Sequence, residues 1–509
     1  MTLHTLGYYA GLLAQRGLLI QTPAGADLTR PVLLVTCDSR SVAPDTLFLC
    51  KGAHFRPSYL DQAVQRGAFC YVSETPYPQC PLPCLPVTDV RRAMALLANA
   101  FYNEPWRDLR VVGITGTKGK SSTAYFLKSV LDLYLAQKGG QESGLISSID
   151  TYDGAERFES HLTTPEPLDV ERHFANALAC GLEFLTMEVS SQALKYDRVY
   201  GVEFAAAVFL NIGSDHISPV EHPNFEDYLR SKLRIFSQCA AACVNLDSAC
   251  SERILLAARS GSAQRILTFS QTDPEADIYA SNVHKQGGET VFRVRTPRYE
   301  RELRLTIPGL FNVENALAAA AVCECFGISP ACVEAGLFRA RAPGRMEVFT
   351  SAGREIVAIV DYAHNKLSFE ALFRSVREEY PGRQVSIVFG SAGKKAYDRR
   401  RDLGETAGRC ADRVYVTEED PGEEDVEQIC REIAAYVNVQ GCPCSILPDR
   451  GEAIRTAIFS CRTPAVVLVT GKGAETRQKR GTAYVDCPSD IDYVTQALRE
   501  YDAAREKEA

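Results

Sequence analysis

The chain has 509 residues, of which 46% are hydrophobic and 24% are charged. A chain of this length is too long for a single hydrophobic core, so we expect several domains. The composition is that of a protein that folds throughout. With 64 acidic and 56 basic side chains, the net charge of −8 argues against a nonspecific grip on nucleic acid. Because we find no secretion-type leader and no uninterrupted run of about 18 apolar residues, we expect a cytoplasmic protein that does not enter a membrane.

Eighteen cysteines are spread along the chain, and none lies in a Cys-x-x-Cys pair. A long chain in a reducing compartment keeps its thiols free. We therefore predict structural or surface thiols rather than disulfides, metal ligands or redox centres.

The first elements predict a small α/β domain. Apolar runs and a helical pattern indicate two strands and a helix, at residues 32–35, 47–49 and 91–102. Pro105 interrupts this pattern before the next apolar strand, at residues 109–114. The first predicted domain therefore covers residues 1–108.

Strands alternate with helices in the remaining chain, which predicts two larger α/β domains. In residues 109–342 we expect a mostly parallel sheet with an antiparallel insertion and a helix, at residues 184–189, 205–212, 277–306 and 312–326. In residues 343–509 the apolar runs fit a doubly wound sheet, with strands at residues 356–360, 385–389, 414–416 and 466–469.

A glycine-rich segment follows the strand at residues 109–114 and precedes an apolar helical pattern. Its sequence is Gly113-Ile114-Thr115-Gly116-Thr117-Lys118-Gly119-Lys120-Ser121-Ser122, with one residue more than the commonest phosphate loop has between its glycines. Backbone N–H groups of such a loop surround phosphate oxygens, and the helix N-terminus adds partial positive charge. We expect Lys120 to reach the terminal phosphates and Ser121 to ligate Mg²⁺. The segment predicts an ATP site made by Gly116, Thr117, Lys118, Gly119, Lys120, Ser121 and Ser122.

The Gly-x-x-Gly-x-x-Gly-Lys-Ser form of this loop resembles that of the Mur ligases and their folate-adding relatives. The resemblance implies an α/β fold with three domains. Residues 1–108 would bind the UDP-MurNAc group, residues 109–342 would form a central P-loop ATPase-like parallel sheet that binds ATP, and residues 343–509 would form a Rossmann-like domain that binds an amino acid.

Three further segments resemble the catalytic elements of the family. Glu188, in Met187-Glu188-Val189, and His216, in Ser214-Asp215-His216, each follow an apolar run and are implied to ligate magnesium. Lys232 matches the lysine that CO₂ converts into a carbamate, an anion that orients the metal. Out of context, His216 would be a structural histidine and Lys232 a solvated one. The resemblance implies a catalytic set of Lys120, Glu188, His216 and Lys232, with Ser121 as a further metal ligand.

Other matches imply contacts to the nucleotide. Asn315 lies in the segment that resembles the adenine-side element of the family. Arg345, Asp361 and His364 resemble the nucleotide contacts supplied by the third domain.

Within the family, the segment Cys37-Asp38-Ser39-Arg40-Ser41 resembles the uridine-nucleotide domain of the MurE and MurF ligases rather than that of the folate ligases. The resemblance implies uridine-side contacts from Ser39 and Ser41. It also implies that hydroxyl groups and a guanidinium hold the muramoyl-dipeptide, with contacts from Thr163, Thr164, Ser190 and Arg198. Tyr196 replaces a glutamine that some relatives use.

The predicted amino-acid pocket departs from one branch of the family. MurE ligases that use meso-diaminopimelate carry Asp-Asn-Pro-Arg, whose arginine grips the distal carboxylate, whereas this chain has Glu419-Asp420-Pro421-Gly422. Two acids without the arginine favour a side chain that ends in an ammonium. Lysine is the leading candidate, and ornithine fits the same electrostatics. The resemblance further implies that Arg400 binds the α-carboxylate and that Gly471 and Glu475 complete the pocket. Without the resemblance, the triplet Arg399-Arg400-Arg401 would be interpreted as a solvated helix face.

The implied reaction is the ATP-dependent addition of L-lysine to the D-glutamate of UDP-MurNAc-L-Ala-D-Glu through an acyl phosphate, in peptidoglycan precursor synthesis. The partners are then these small molecules, with Mg²⁺ as cofactor, and we expect a monomer. The alternatives are a MurE-like ligase for ornithine or meso-diaminopimelate, a Mur-type ligase of a folate, cyanophycin or other peptide pathway, and a non-catalytic nucleotide-binding protein.

Overall fold

The computed structural model describes residues 3–22, 25–52, 55–213, 217–218, 221–394 and 397–508. Contacts group the chain into two compact units. The first comprises residues 1–279, 296–298 and 317–332, and the second comprises residues 280–295, 299–316 and 333–509. The domain boundaries at residues 108 and 342 remain predictions.

The first unit begins with a four-stranded parallel sheet in the order β1-β2-β3-β4. Its elements are α1 (Leu6–Gln15), β1 (Leu34–Thr36), β2 (Thr46–Leu49), α2 (Pro57–Gln65), β3 (Ala68–Ser73), β4 (Cys84–Pro86) and α3 (Val90–Phe101). Helix α3 begins where the side chain of Asp89 accepts hydrogen bonds from the first backbone N–H groups, which have no partner within the helix. The small α/β structure predicted for this part of the chain is confirmed.

The central sheet of the first unit has the order β12-β11-β10-β5-β9-β6-β7-β8, and its six strands from β12 to β6 are parallel. Its strands are β5 (Arg110–Thr115), β6 (Gly144–Ile146), β7 (Asp150–Tyr152), β8 (Arg157–Glu159), β9 (Phe184–Glu188), β10 (Ala206–Phe209), β11 (Ala241–Asn245) and β12 (Arg265–Ser270). The helices are α4 (Lys120–Gln137), α5 (Pro167–Ala179), α6 (Ser191–Lys195), α7 (Phe225–Leu233) and α8 (Ser251–Ser260), with 3-10 turns at Pro105–Arg107 and Arg234–Gln238.

Three neighbouring strands of this sheet end at one edge. Ile114 of β5 lies opposite Glu188 of β9, and Thr115 lies opposite Phe209 of β10. Gly113 of β5 is required by packing, because a Cβ there would lie 2.9 Å from the Phe204 ring. The loops that follow these strands therefore meet at the carboxyl edge of the sheet, where open α/β sheets bind their ligands.

The second unit contains an antiparallel segment, as predicted for residues 277–306. Strand β13 (Ile278–Gln286) begins beside β12, and its later part precedes the paired strands β14 (Glu289–Arg295) and β15 (Glu300–Leu305). Helices α9 (Asn312–Cys325) and α10 (Pro330–Arg339) follow, and the segment 317–332, which covers most of α9 and the start of α10, belongs to the first unit.

The last part of the second unit is a six-stranded sheet in the order β16-β17-β21-β18-β19-β20, parallel except for β16. Its elements are β16 (Glu347–Thr350), β17 (Ile356–Asp361), α11 (Lys366–Glu379), β18 (Gln384–Phe389), α12 (Tyr397–Cys410), β19 (Arg413–Val416), α13 (Val426–Val439), β20 (Cys444–Ile446), α14 (Arg450–Phe459), β21 (Ala465–Thr470), the hairpin β22 (Arg477–Arg480) and β23 (Ala483–Asp486), and α15 (Asp490–Glu508). Buried aliphatic side chains fill both faces of its central strands. The predicted doubly wound sheet is confirmed.

All eighteen cysteines carry free thiols. Among the described residues, no helix is both long and apolar enough to cross a lipid bilayer.

Candidate active site

The glycine-rich segment forms a loop that joins β5 to α4, as the sequence predicts for a phosphate loop. Gly119 has a φ of +85°, a left-handed conformation that glycine adopts without strain, and α4 begins at the next residue. The amine of Lys120 donates to the carbonyl oxygens of Gly116 and Thr117 at 3.0 and 3.3 Å. The lysine therefore lies over its own loop, beside the N-terminus of a helix that attracts anions.

Asn211 fixes the loop from the neighbouring strand, a role that the sequence did not predict. Its side-chain oxygen accepts from the backbone N–H of Lys118 at 2.9 Å, and its amide group donates to the Lys118 carbonyl at 3.2 Å. Its own carbonyl accepts from the N–H of Thr117 at 3.0 Å. The available signal was its position, as the first polar residue after the apolar run of β10.

Oxygen atoms gather where β9 ends beside the loop. Glu188 is 1% exposed, and one of its carboxylate oxygens accepts from the backbone N–H and the hydroxyl of Ser148 at 2.8 and 3.2 Å. The Ser148 hydroxyl also lies 3.0 Å from that of Ser121. A carboxylate and two hydroxyls next to a phosphate loop are the donors that a hard cation such as Mg²⁺ prefers, so the residues fit this metal.

Lys232 lies on α7, and its side chain also reaches the loop. It is 1% exposed, and its amine donates to the Gly116 carbonyl at 2.9 Å and lies 4.8 Å from the centre of the Tyr228 ring. Lys232 is thus a buried residue of the phosphate loop's surroundings and not a solvated helix lysine. His216, predicted as a further metal ligand, lies outside the described residues.

Helix α7 is tied to both the loop and α6 by side chains that the sequence analysis did not single out. The Tyr228 hydroxyl lies 3.1 Å from the Thr117 hydroxyl, which also accepts from the N–H of Gly213 at 3.0 Å. The buried His222 ring lies 2.7 Å from a carboxylate oxygen of Asp227 and 2.9 Å from the Ser191 hydroxyl. These bonds connect α7 to the end of β9 through α6.

The residues predicted to hold the muramoyl-dipeptide come together near Glu188. The Thr164 hydroxyl donates to the Glu188 carbonyl at 2.9 Å and accepts from the Ser190 N–H at 3.0 Å. The Ser190 hydroxyl caps α6, and the Arg198 guanidinium donates to the Thr164 carbonyl at 3.0 Å. Thr163, the preceding residue, is partly exposed.

The predicted uridine-side residues lie after β1 and differ in exposure. Ser39 is buried, and its hydroxyl donates to the side chain of Gln62 at 3.0 Å. Ser41 is exposed. Asp38, which precedes Ser39, and Arg40, which lies between the two serines, form an ion pair at 2.8 Å.

In the second unit, the predicted amino-acid pocket lies where β19 and β21 end. The Glu419 carboxylate packs against Gly471, where a Cβ would lie only 2.2 Å from the carboxylate oxygen Oε2. Burial raises the pKa of Glu419 to about 7, although the nearby Arg450 and Lys472 favour its charged form. Gly471 therefore leaves the space that the carboxyl group of Glu419 occupies.

Lys472 compensates the other two acids of this pocket. It is 3% exposed, and its amine lies 2.9 Å from Asp420 and 2.8 Å from Glu475. Because Asp420 and Glu475 already share a cation, Glu419 is the acid of the three best able to accept a ligand's ammonium. The sequence analysis assigned no role to Lys472.

Arg400 is buried in α12 and pairs with two carboxylates. Its guanidinium contacts both oxygens of Glu424 at 2.8 Å and Glu432 at 2.7 Å. Arg400 therefore does not lie on a solvated face of α12. That Arg400 binds an α-carboxylate remains a prediction. Such binding would require Glu424 or Glu432 to move away from the guanidinium.

The predicted nucleotide contacts of the second unit gather around Tyr362. The Arg345 guanidinium lies 4.2 Å from the centre of its ring, and the His364 ring lies 5.0 Å from it. The Asp361 carboxylate accepts from the N–H groups of Met346 and Ala363, each at 2.8 Å.

Asn315 belongs to a separate part of this unit, at the start of α9. It is 4% exposed, and its side-chain amide donates to Asn312 at 2.9 Å.

Comparison with known proteins agrees with this arrangement along most of the chain. Residues 114–323 match the Mur ligase middle domain, and residues 344–473 match the Mur ligase, glutamate ligase domain. The UDP-N-acetylmuramoyl-L-alanyl-D-glutamate--L-lysine ligase of Enterococcus faecalis is 40% identical over 456 residues, which cover 88% of each chain. The chain belongs to the Mur ligase family.

Other relatives support this membership. The UDP-N-acetylmuramyl-tripeptide synthetase of Lactobacillus acidophilus is 38% identical to this Mur ligase over 492 residues, 93% of each chain. Among solved structures, a UDP-N-acetylmuramoyl-L-alanyl-D-glutamate--2,6-diaminopimelate ligase has a TM-score of 0.67 and 23% identity, covering 98% of this chain and 99% of the other. The MurF ligase from Thermotoga maritima, solved with ADP, has a TM-score of 0.60 and 18% identity, covering 94% and 99%. The α/β Mur ligase fold implied by the motifs is confirmed.

Proposed function

We propose that this Mur ligase joins L-lysine to the D-glutamate of UDP-MurNAc-L-Ala-D-Glu, with ATP cleaved to ADP and phosphate. The phosphate loop with Lys120 and Glu188 supports ATP-dependent ligation. The observation that carries the choice of lysine is the Glu419 carboxylate over Gly471 in a pocket where Gly422 replaces the arginine of diaminopimelate enzymes. The name of the Enterococcus faecalis relative points to the same substrate.

In the proposed reaction, the D-glutamyl carboxylate attacks the γ-phosphoryl group of ATP, the bond to the bridging oxygen breaks, and ADP leaves, which gives an acyl phosphate. The neutral amine of lysine then attacks the acyl carbon, and phosphate leaves. Lys120 neutralises charge that develops on the phosphoryl oxygens, and the site positions the reacting groups. Mg²⁺, held by Ser121, Glu188 and the predicted ligand His216, would supply further charge neutralisation.

The remaining binding roles are part of this proposal. Ser39 and Ser41 would contact the uridine nucleotide, and the dipeptide would lie against Thr163, Thr164, Ser190 and Arg198. ATP would also contact Asn315, Arg345, Asp361 and His364, while Arg400, Glu419, Asp420, Gly471 and Glu475 would line the lysine pocket. All substrates are small molecules of the cytoplasm, and no step requires a second subunit, a nucleic acid or a membrane.

Phosphate release tests the proposed function. The purified protein is supplied with ATP, Mg²⁺ and UDP-MurNAc-L-Ala-D-Glu, and lysine, ornithine, meso-diaminopimelate or no amino acid is added. We expect release that depends on the acceptor and is greatest with lysine. A preference for diaminopimelate would contradict the pocket argument, and equal release without acceptor, or none at all, would contradict the ligase.

We propose that Lys232 reacts as a neutral amine with CO₂, with loss of one proton, to give a carbamate anion that would orient Mg²⁺. Its burial beside the Gly116 carbonyl supports this role, because the resulting anion would lie next to the phosphate loop. Replacing Lys232 by alanine should lower turnover by about 100-fold or more while the Kd for ATP changes much less, since a lost transition-state contact acts on kcat. Lys232→Arg is the control, because it keeps the positive charge but forms no carbamate; an active arginine variant would remove the carbamate role.

A further inference from the structure

We infer that Lys51 and Arg198 form a site for an acidic group of the nucleotide-linked substrate, and that the Glu166 carboxylate occupies this site until the substrate replaces it. The inference rests on the proposed function and adds Lys51 to it. Lys51 follows β2 in the first part of the chain, whereas Arg198 follows α6. The site would therefore receive a ligand that contacts both residues 1–108 and the part of the first unit that carries the central sheet.

The two cations converge on one carboxylate. The amine of Lys51 bonds to the oxygen Oε2 of Glu166, and the Arg198 guanidinium lies 3.0 Å from the other oxygen, Oε1. The side chains of Lys51 and Arg198 are each 17% exposed, and that of Glu166 is 28% exposed. A ligand can thus reach the group from solvent, while partial burial strengthens its interactions with charge.

The charges of this group do not balance. Glu166 supplies one negative charge to two positive ones. Asp169, another acid in this part of the chain, is exposed and lies 3.9 Å from Arg172. A second anionic group is therefore favoured here. Carboxylates and phosphates are the groups that lysine and arginine bind in this way.

The site lies between the two predicted substrate regions. Arg198 also donates to the carbonyl of Thr164, which belongs to the predicted dipeptide site. On the other side, burial raises the pKa of the Cys37 thiol and the nearby Lys51 opposes that shift. Because Cys37 is the first residue of the predicted uridine segment, Lys51 lies between residues predicted to contact the uridine nucleotide and residues predicted to contact the dipeptide.

A structural role for the same contacts makes a different prediction. If the ion pairs only join residues 1–108 to the central sheet, removing either Lys51 or Glu166 weakens the site equally. If Glu166 competes with the substrate, the two replacements have opposite effects, since one removes a binding cation and the other removes the competitor.

The test measures the Kd of UDP-MurNAc-L-Ala-D-Glu for the full chain by calorimetry without ATP. Lys51→Ala should raise this Kd about tenfold or more, the loss of one charged hydrogen bond, and Lys51→Arg should restore most of the affinity. Glu166→Gln should leave the affinity equal or increase it. Arg92→Ala is the matched control, because Arg92 and Asp197 form another ion pair between the same parts of the chain, 3.4 Å apart, and its Kd should change less than twofold.

The acidic group is identified by the same measurement with UDP and with UDP-MurNAc-L-Ala. A tenfold effect of Lys51→Ala on all three ligands indicates the diphosphate, and an effect confined to UDP-MurNAc-L-Ala-D-Glu indicates the D-glutamate. The Kd of ATP, which should stay within twofold, shows that each variant is folded.

Two results would overturn the inference: a Kd for Lys51→Ala within twofold of the unaltered protein, or an equal loss of affinity in Lys51→Ala and Glu166→Gln. Failure of the proposed function is distinguishable from either, because the unaltered protein would then bind none of the three uridine ligands.

Discussion

At the scale of single residues, the proposed choice of lysine by this Mur ligase depends on the carboxyl group of Glu419. Gly471 gives it space, and Lys472 is engaged by Asp420 and Glu475. An ammonium group that enters the pocket would meet Glu419, whose pKa burial raises to about 7. The proposed role of Glu419 therefore couples its protonation to lysine binding.

Binding of lysine should depend on pH through Glu419. A cationic ligand favours the carboxylate, so affinity should rise as pH increases through about 7 and level off above it, with a loss approaching tenfold per pH unit below about 6. Glu419→Gln should raise the Kd about tenfold or more at pH 8 and remove the pH dependence. Titration with lysine from about pH 5.5 to 8.5 checks this.

Glu423→Gln is the control for this titration, because Glu423 is a nearby acid paired at 2.6 Å with Lys394 on the surface. It should keep the pH dependence of the unaltered protein. A flat profile in the unaltered protein, or an unchanged one in Glu419→Gln, would exclude Glu419 as the acceptor.

At the scale of elements, helix α7 positions the phosphate loop. Tyr228 contacts the Thr117 hydroxyl at 3.1 Å, and Lys232 donates to Gly116 from the same helix. His222, fully buried between Asp227 and Ser191, connects α7 to α6. Loss of the Tyr228 contact should therefore act on nucleotide binding.

Tyr228→Phe removes one hydroxyl and retains the ring. We expect the KM for ATP to rise about five- to tenfold, which corresponds to the loss of one buried hydrogen bond, while the KM for lysine stays unchanged. Steady-state kinetics with each substrate varied in turn checks this. The control is Tyr501→Phe, because the Tyr501 hydroxyl donates to Glu355 in the second unit. Equal changes in both KM values would indicate general destabilisation instead.

At the scale of the whole molecule, a buried acid on α5 makes stability depend on pH. Glu171 is 1% exposed, and both of its carboxyl oxygens are buried without a hydrogen-bond partner in the described structure. Burial raises its pKa well above the usual value of 4.5, and Glu104 adds to the shift. Helix α5 packs against α3 and the Pro105–Arg107 turn, so this acid lies in the packing of the first unit.

The sign of the effect follows from the raised pKa. Above pH 4.5 the unfolded chain releases the proton of Glu171 while the folded protein keeps it, so stability falls with rising pH by up to about 1.4 kcal/mol per unit until the folded group ionises. Glu171→Met, an apolar replacement of similar length, should remove this slope and raise the melting temperature at pH 8. Calorimetric scans at about pH 5 and pH 8 measure it.

Glu183→Met serves as the control for these scans, because Glu183 is partly exposed and pairs with Arg110 at 2.8 Å. Its melting temperature should follow that of the unaltered protein at both pH values. A Glu171→Met variant that melts lower at pH 8 would contradict the prediction.

Sequence reasoning succeeded where the chemistry lies in consecutive residues. The phosphate loop is one segment between a strand and a helix, and the spacing of its glycines is visible in the chain. The parallel sheets follow from apolar runs of five or six residues that alternate with helical patterns. The predicted strand at residues 205–212 was too long, since β10 ends at Phe209 and the following residues carry Asn211 to the loop.

The sequence by itself determined the fold class and the phosphate loop, because local periodicity and contiguous motifs carry that information. Only the tertiary structure decided which side chains meet. Strand order brings Asn211 and Glu188 to either side of the loop, although they lie far from it in the chain. Burial pairs Arg400 with two acids and gathers Lys51, Glu166 and Arg198, because charges removed from water require partners that no local pattern specifies.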